Sequence, residues 1–293
     1  MKILVTGSTG LVGTALVKSL ASDGHTACRL RVRAESIWRG IPEAGELDGA
    51  GVGPDAVVNL AGASIAGGRW TDKRKHLLRT SRIATTRALV KALAKMNARP
   101  RVLVSASAIG IYGDRGDEVL AEESKPGTDF LAGLAREWEA EAMKAEALGI
   151  RVVLARFGII LAKQGGALAK MLLPFKLGVG GRLGSGKQWM SWITLADVVG
   201  IIRFAIENSV ARGAINVVSP GAIQNAKFTK VLAKVLHRPA LFPAPAFALR
   251  LALGEMADAL LLSSQRVAPQ RLQQLGYSFA YPELSAALRA VLA

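Results

Sequence analysis

Cysteine is almost absent from the chain: Cys28 stands alone, so no internal disulfide can form and no cysteine-based metal cluster can be built. Histidine is nearly as scarce. His25, His76 and His237 lie far apart without metal-ligand spacing, and no metal site is expected. Long hydrophobic runs are missing too. A membrane-spanning helix needs roughly 18 to 20 apolar residues; the greasiest stretch, 246–262, is broken by Arg250, Glu255 and Asp258. Acidic residues are in deficit, 22 against 38 lysines and arginines, which leaves a net charge of +16. That excess favours anionic partners: a phosphorylated cofactor, an acidic protein or assembly, or a nucleic acid. Met1-Lys2 runs directly into an apolar stretch, leaving no room for a leader, so the expected location is cytoplasmic. An organelle matrix such as plastid or mitochondrion would require that a transit peptide had been removed.

What is present is core. With 51% of 293 residues hydrophobic, the chain can bury one large domain, or one domain and a smaller lobe. It begins with a strand-like run, Ile3-Leu4-Val5, followed by Gly7, Gly10 and Gly13 and then a helical pattern over 11–20. Strand, glycine turn and helix form the phosphate-binding start of a dinucleotide-binding βαβ unit. Gly7 allows the tight turn, Gly10 lets a pyrophosphate approach the backbone, and Gly13 permits close packing of helix on strand. The cradle is therefore expected to use Gly7, Thr9, Gly10, Leu11, Val12 and Gly13.

The second strand is expected over 25–32, with Arg29, Arg31 and Arg33 on it and just beyond. This tip meets the adenosine ribose: an acidic residue there suits the free 2′-hydroxyl of NAD, an arginine the 2′-phosphate of NADP. Here Glu35 comes late and arginine dominates, which points to NADP. Residues 35–54 read as a loop, and 55–62 as a buried strand ending in Ala61-Gly62, where backbone can approach a flat ligand. A helix is expected over 71–96. Its first half is strongly basic and Arg82 is placed to reach back to a phosphate. Only Trp70 interleaves those basic residues and no nucleic-acid module is recognisable, so a nucleic-acid partner is not expected.

Further strands are expected over 101–105 and 150–155, with an amphipathic helix between them carrying Leu131, Leu134, Trp138 and Ala142. Beyond residue 165 come a short helix to 176, a strand over 188–193, a helix over 197–207, a strand over 213–218, a helix over 225–236 and a helical tail. Gly181-Arg-Leu-Gly-Ser-Gly-Lys187 imitates a Walker A loop. Gln188 replaces the serine or threonine that would hold magnesium, and a strand-like run replaces the required helix, so no NTPase follows. The alternation implies an α/β fold: a Rossmann-type doubly wound parallel sheet with a smaller C-terminal substrate lobe. The Rossmann part is assigned to 1–160 with 193–220 returning to it, and the lobe to 161–192 and 221–293.

TGSTGLVG, NLAG, SASAIGIYG and the run 156–193 together resemble a short-chain dehydrogenase/reductase. The likeness is to the atypical branch of NAD(P)-dependent epimerase-family proteins, which includes cell-division-inhibitor-like homologues in plastids and cyanobacteria. The tail resembles that branch's own C-terminal domain. The resemblance implies that Gly7, Gly10, Gly13, Arg31, Leu60, Ala61, Arg82 and Ile160 contact the cofactor, with Gly62 beside them. The family often has an arginine where Val32 stands, a role that Arg33 can take. Its WIHxDD segment is here Trp192-Ile-Thr-Leu-Ala-Asp197.

Ordinary short-chain dehydrogenases pair a tyrosine with a lysine four residues on, the lysine lowering the tyrosine pKa for proton exchange during hydride transfer. Four residues beyond Tyr112, Tyr277 and Tyr281 stand Gly116, Tyr281 and Ser285. The tyrosine helix of the extended enzymes falls on Leu131 and Ala135, and their serine on Ala108. Tyr112 and Ser107, at the right strand end, are the remaining catalytic candidates. Two functions stay open. One is an NADP-dependent oxidoreductase of atypical active site, acting on a small, anionic substrate near Lys170, Lys176, Arg182 and Lys187. The other is a catalytically inactive NADP-binding scaffold or sensor docked on an acidic or nucleoprotein assembly.

Overall fold

Runs of valine, isoleucine and leucine without polar alternation make strands that must be covered on both faces, and that is how they are used. In the computed structural model, which describes residues 1–30 and 53–293, six strands form one parallel sheet. They are β1 (Lys2–Thr6), β2 (Thr26–Leu30), β3 (Ala56–Asn59), β4 (Val102–Ala108), β5 (Arg151–Phe157) and β6 (Gly213–Val217). Their order is β6-β5-β4-β3-β1-β2, and every neighbouring pair is parallel. The chain winds outward from β1 to β2, then returns to the other side of β1 with β3. The carboxyl ends of β1 and β3 therefore border the crevice where such sheets bind ligands.

The helices are α1 (Leu11–Ser22), α2 (Asp72–Arg79), α3 (Thr85–Ala94), α4 (Phe130–Met143), α5 (Gly166–Lys176) and α6 (Leu195–Glu207), of which α1, α3, α4 and α6 cover the two faces. Alternate residues of each strand sort between two cores. Ile3, Val5, Val58, Val104 and Ile215 pack with Leu16 and Leu20 of α1 and Ile201 and Ile202 of α6. Leu4, Val57, Leu103 and Val152 pack with Leu89 and Leu93 of α3 and Ala142 of α4. A third core lies off the sheet, where Leu168, Leu172 and Phe175 of α5 meet Trp192, Phe228 and Leu232, and Leu288 of the last helix. This is a doubly wound α/β protein with a C-terminal lobe.

Three local expectations need correction. The helix expected over 71–96 is interrupted by a π turn, Thr80–Ala84, between α2 and α3. The strand expected over 188–193 is two short ones, Trp189–Met190 and Trp192–Thr194. The break falls at Ser191, whose hydroxyl donates to Gln265 O (2.8 Å). The tail is not wholly helical: Arg266–Val267 is extended and pairs in parallel with Val119–Leu120, stitching the lobe to the sheet domain. Of the second strand, Thr26–Leu30 is seen; Arg31, Arg33 and most of the 35–54 loop lie outside the described residues.

Candidate cofactor and substrate site

The glycine turn is built by steric exclusion. Gly7 has φ +65°, and a Cβ there would lie 2.5 Å from Leu60 O on the loop after β3. A Cβ on Gly13 would lie 2.7 Å from Ser8 Cα, so α1 can approach the turn only with glycine at that place. Gly10 closes the turn by donating to Gly7 O (3.0 Å) and stands as N-cap of α1 without a capping side chain. The first-turn N–H groups of α1 are thus left for an anion. Thr9 and Gly10 are exposed, Leu11 and Val12 half-buried. Ser8 Oγ is buried and has no hydrogen-bond partner among the described residues. Leu60, Ala61 and Gly62 run along the opposite rim. Leu11 packs against the turn at Gly165, near half-buried Ile160 on the strand Ile159–Ala162.

Arg82 faces this rim because of the π turn. One extra residue in the helical ladder re-aims side chains, a device frequent at functional sites. The guanidinium donates to Ala63 O (3.0 Å) and Leu78 O (3.3 Å) and lies 5.2 Å from the Trp138 ring centroid. A Cβ on Gly62 would come within 3.1 Å of its Cζ, so glycine makes room for the cation. Among the described residues no carboxylate pairs with it. Burial, aided by the charge of Arg74, pushes its pKa down to about 10. A cation kept at that cost on the rim formed by Gly62 and Ala63 fits a phosphorylated ligand. Beneath it, Thr6 donates to Asn59 (2.7 Å), and Asn59 donates to Thr86 (2.8 Å) and Ser105 (3.2 Å). Trp138 Nε1 also donates to Thr86 Oγ1 (2.9 Å), which fixes the floor of the site.

Tyr112 and Ser107 are brought together, but not at an open wall. Both are buried around an ion pair in which Arg156 Nε and Nη2 donate to the two oxygens of Glu139, each at 2.9 Å. Ser107 Oγ donates to Glu139 Oε1 (2.6 Å). The Tyr112 hydroxyl donates to Asn216 Oδ1 (2.7 Å) and accepts from Arg156 Nη1 (2.9 Å). Burial pushes the Tyr112 pKa up, offset in part by Arg156. Burial works against the Arg156 charge, yet Glu139 holds its pKa above the ordinary value. Both hydroxyls are thus engaged in a polar clamp rather than set on an open wall. The signals that could have found it were Glu139 on an otherwise apolar helix face and Arg156 closing an apolar strand.

An open cavity of about 280 Å³ lies instead at the start of α4, against the tail. Leu131 lines it beside Trp70 and Phe130, whose rings meet edge-on at 5.3 Å. Asp114, Asp129, Glu255 and Asp258 also line it. Glu255 pairs with Lys75 (2.5 Å) and Asp258 with Arg250 (2.9 Å). Asp129 Oδ1 accepts from Ala132 N (2.8 Å) as the α4 N-cap. The lysines and arginines expected around an anionic substrate are elsewhere: Lys170 donates to Ala66 O, and Arg182 curls onto Gly184 O and Ser185 O. Among the described residues no acid, histidine or cysteine cluster could hold a metal.

A glycine turn at the switch point of a parallel sheet, with an arginine against the facing loop that no carboxylate pairs with among the described residues, defines a nucleotide-binding Rossmann protein of the short-chain dehydrogenase type. Residues 3–218 match the NAD dependent epimerase/dehydratase family, and the chain belongs to that family. Residues 244–291 match a domain of unknown function, DUF1731. An epimerase family protein of Mycobacterium bovis is 41% identical over 98% of this chain and 96% of its own length. The chloroplastic SDR39U1 homolog of Arabidopsis thaliana is 40% identical, covering 100% of this chain and 87% of its own. The crystal structure of human epimerase family protein SDR39U1 (isoform 2) with NADPH superposes with TM-score 0.89 at 34% identity, covering 99% of both chains. UDP-N-acetylglucosamine 4-epimerase from Bacillus cereus, at 19% identity and TM-score 0.75, shares the fold alone. Architecture and family together give an NAD(P)-binding protein in which, among the described residues, no helix is long and apolar enough to cross a membrane.

Proposed function

We propose that the chain binds NADP(H) in preference to NAD(H) and acts as an oxidoreductase on a small molecule held in the cavity beside Leu131. The observation that carries the reading is Arg82, a buried guanidinium on the rim after β3 that has no carboxylate partner among the described residues. Gly7 to Gly13, Leu60 to Gly62, Ile160 and Arg82 would hold the cofactor. From the sequence, Arg31 and Arg33 would hold the 2′-phosphate. The cofactor, when bound, supplies the hydride donor or acceptor.

The protein's own part is to bind, orient and manage a proton. Trp70 and Phe130 offer an apolar wall for the substrate. Asp129, which lines the cavity, uses Oδ1 for the helix cap, and Oδ2 would accept or return the substrate proton. Tyr112 and Ser107 act as positioning residues that hold the end of β4. With Glu255 and Asp258 paired, Asp114 and Asp129 leave a weakly acidic wall that suits a neutral substrate better than an anionic one. Asp129→Asn keeps a capping side chain, so its effect on turnover is separable from folding. In a screen following NADPH oxidation, Asp129→Asn should abolish turnover, while Tyr112→Phe and Ser107→Ala retain it. Titration by nicotinamide fluorescence tests the cofactor assignment; NADH binding as tightly as NADPH would overturn it.

The apolar Leu131 and Ala135, near which the tyrosine helix of the extended short-chain dehydrogenases falls by resemblance, support a second reading: an NADP-binding scaffold. Tight NADPH binding without turnover across the screen, together with a salt-sensitive acidic partner, is its signature.

A further inference from the structure

Large side chains that water should repel are gathered on the C-terminal lobe. Phe242, Phe247 and Leu251 are 60, 72 and 77% exposed, and Leu177 and Leu241 are also bare. They belong to one surface. Phe242 N donates to Gly180 O (3.2 Å) and Ala244 N to Arg182 O (2.9 Å), which ties the stretch after α5 to the one leading into the helix Ala246–Leu253. That helix reads Ala-Phe-Ala-Leu-Arg-Leu-Ala-Leu: seven of its eight residues are apolar and none is buried. A surface helix of this composition lacks the polar face that water requires. An exposed apolar patch of such extent marks a contact surface.

The charge around it is predominantly positive, the nearest acids being Asp258, paired with Arg250, and Glu255, paired with Lys75. No aspartate or glutamate occurs in residues 147–196 or in 208–254. Lys176, Arg182, Lys187, Lys234 and Arg238 are exposed in the same stretches. A second copy docking face to face would set these cations against their own images, because a two-fold contact pairs like with like. Apolar prongs among lysines and arginines, on a short helix with Phe247 and Leu251 one turn apart, match the requirements of an acyl layer with anionic headgroups.

We infer that the surface formed by residues 241–251 and the end of α5 is a peripheral anchor for anionic lipid bilayers. Phe242, Phe247 and Leu251 enter the acyl boundary and the lysines and arginines stay at the headgroups. The surface shares none of the residues assigned to the cofactor; Arg250 alone also lines the cavity beside Leu131.

Flotation of the full chain with vesicles tests it, using phosphatidylcholine alone and equal parts of phosphatidylcholine and phosphatidylglycerol. The protein should float with the second and not the first, and added salt should release it. Phe247→Ser combined with Leu251→Ser should lower partitioning about tenfold or more. Arg238→Glu with Lys176→Glu should weaken binding and flatten its salt dependence. Retained NADPH binding and an unchanged melting temperature confirm that each variant is folded. Failure to bind the anionic vesicles at low salt would overturn the inference. So would equal binding by the Phe247 and Leu251 variant. Loss, in that variant, of a dimer or of a complex with an acidic protein, with vesicle binding intact, would also overturn it.

Discussion

Arg82→Met separates what the protein sacrifices for its site from what the site returns. Methionine keeps an aliphatic stem over Trp138 while removing the charge. Holding that charge depresses the pKa from 12.5 to about 10, which at roughly 1.4 kcal/mol per pH unit is a penalty of about 3 kcal/mol. The folded-state pKa lies below the unfolded one. The penalty is therefore fully present at neutral pH and fades only as pH rises through about 10 toward 12.5. Against it stand two lost hydrogen bonds, to Ala63 O and Leu78 O, each worth about 1 kcal/mol. The ligand-free variant should therefore be about 1 kcal/mol more stable in urea at pH 7. Loss of a charge-assisted contact of about 1.5–3 kcal/mol should weaken NADPH binding by about 10- to 100-fold. Fluorescence titration and urea denaturation on the same preparation read both quantities. If affinity stays within about twofold and stability does not rise, the buried charge has another purpose.

The clamp should be brittle in one direction only. Glu139→Gln leaves Arg156 buried without its counter-charge and should cost about 3–5 kcal/mol in urea. Glu139→Leu with Arg156→Met should recover most of that loss. Asp197 accepts from Ala280 N (2.7 Å) and Tyr281 N (3.2 Å) and from the Thr194 hydroxyl (2.8 Å). Asp197→Ala should cost roughly 2–4 kcal/mol and make the tail beyond Leu275 the first site of limited proteolysis. Burial, with the charge of Asp197, raises the Tyr277 pKa from 10.0 to about 12. The folded state then holds that proton more tightly than the unfolded one. Stability should fall as pH climbs from 10 toward 12, and Tyr277→Phe should remove that component.

The sheet was legible because its strands are continuous apolar runs and its glycines punctuate them at fixed spacing. Gly7 and Gly13 could be assigned from spacing alone, since no side chain fits at either place. Arg82 was singled out by charge, but its approach to the rim depends on the π turn. An apolar repeat does not reveal one extra residue in a helix. The clamp around Tyr112 and Ser107 was not legible because sequence gives the strand end they occupy and not the partners that meet them. Asn216 and Arg156 arrive from 104 and 44 residues away. The two-strand break at Ser191 was hidden for the same reason, its acceptor lying 74 residues on. Thr194, where the family pattern has histidine, turned out to cap α6 by accepting from Asp197 N (3.0 Å).

The clamp around Arg156 also bears on how the chain emerges from the ribosome. Arg156 and Glu139 are 17 residues apart and can meet early. Glu122, however, accepts from Asn216 N and from Arg271 N, the second 149 residues downstream, and Asn216 donates onward to Ala268 O. A nascent chain exposed only as far as the end of β6 carries a sheet that is complete and a polar interior that is not. Its Glu122 carboxylate and Asn216 amide lack the partners that the later residues supply. The final 75 residues are thus obligatory for maturation: a fragment ending at 218, though it spans the whole epimerase match, should be a substrate for chaperones and proteases rather than a stable domain.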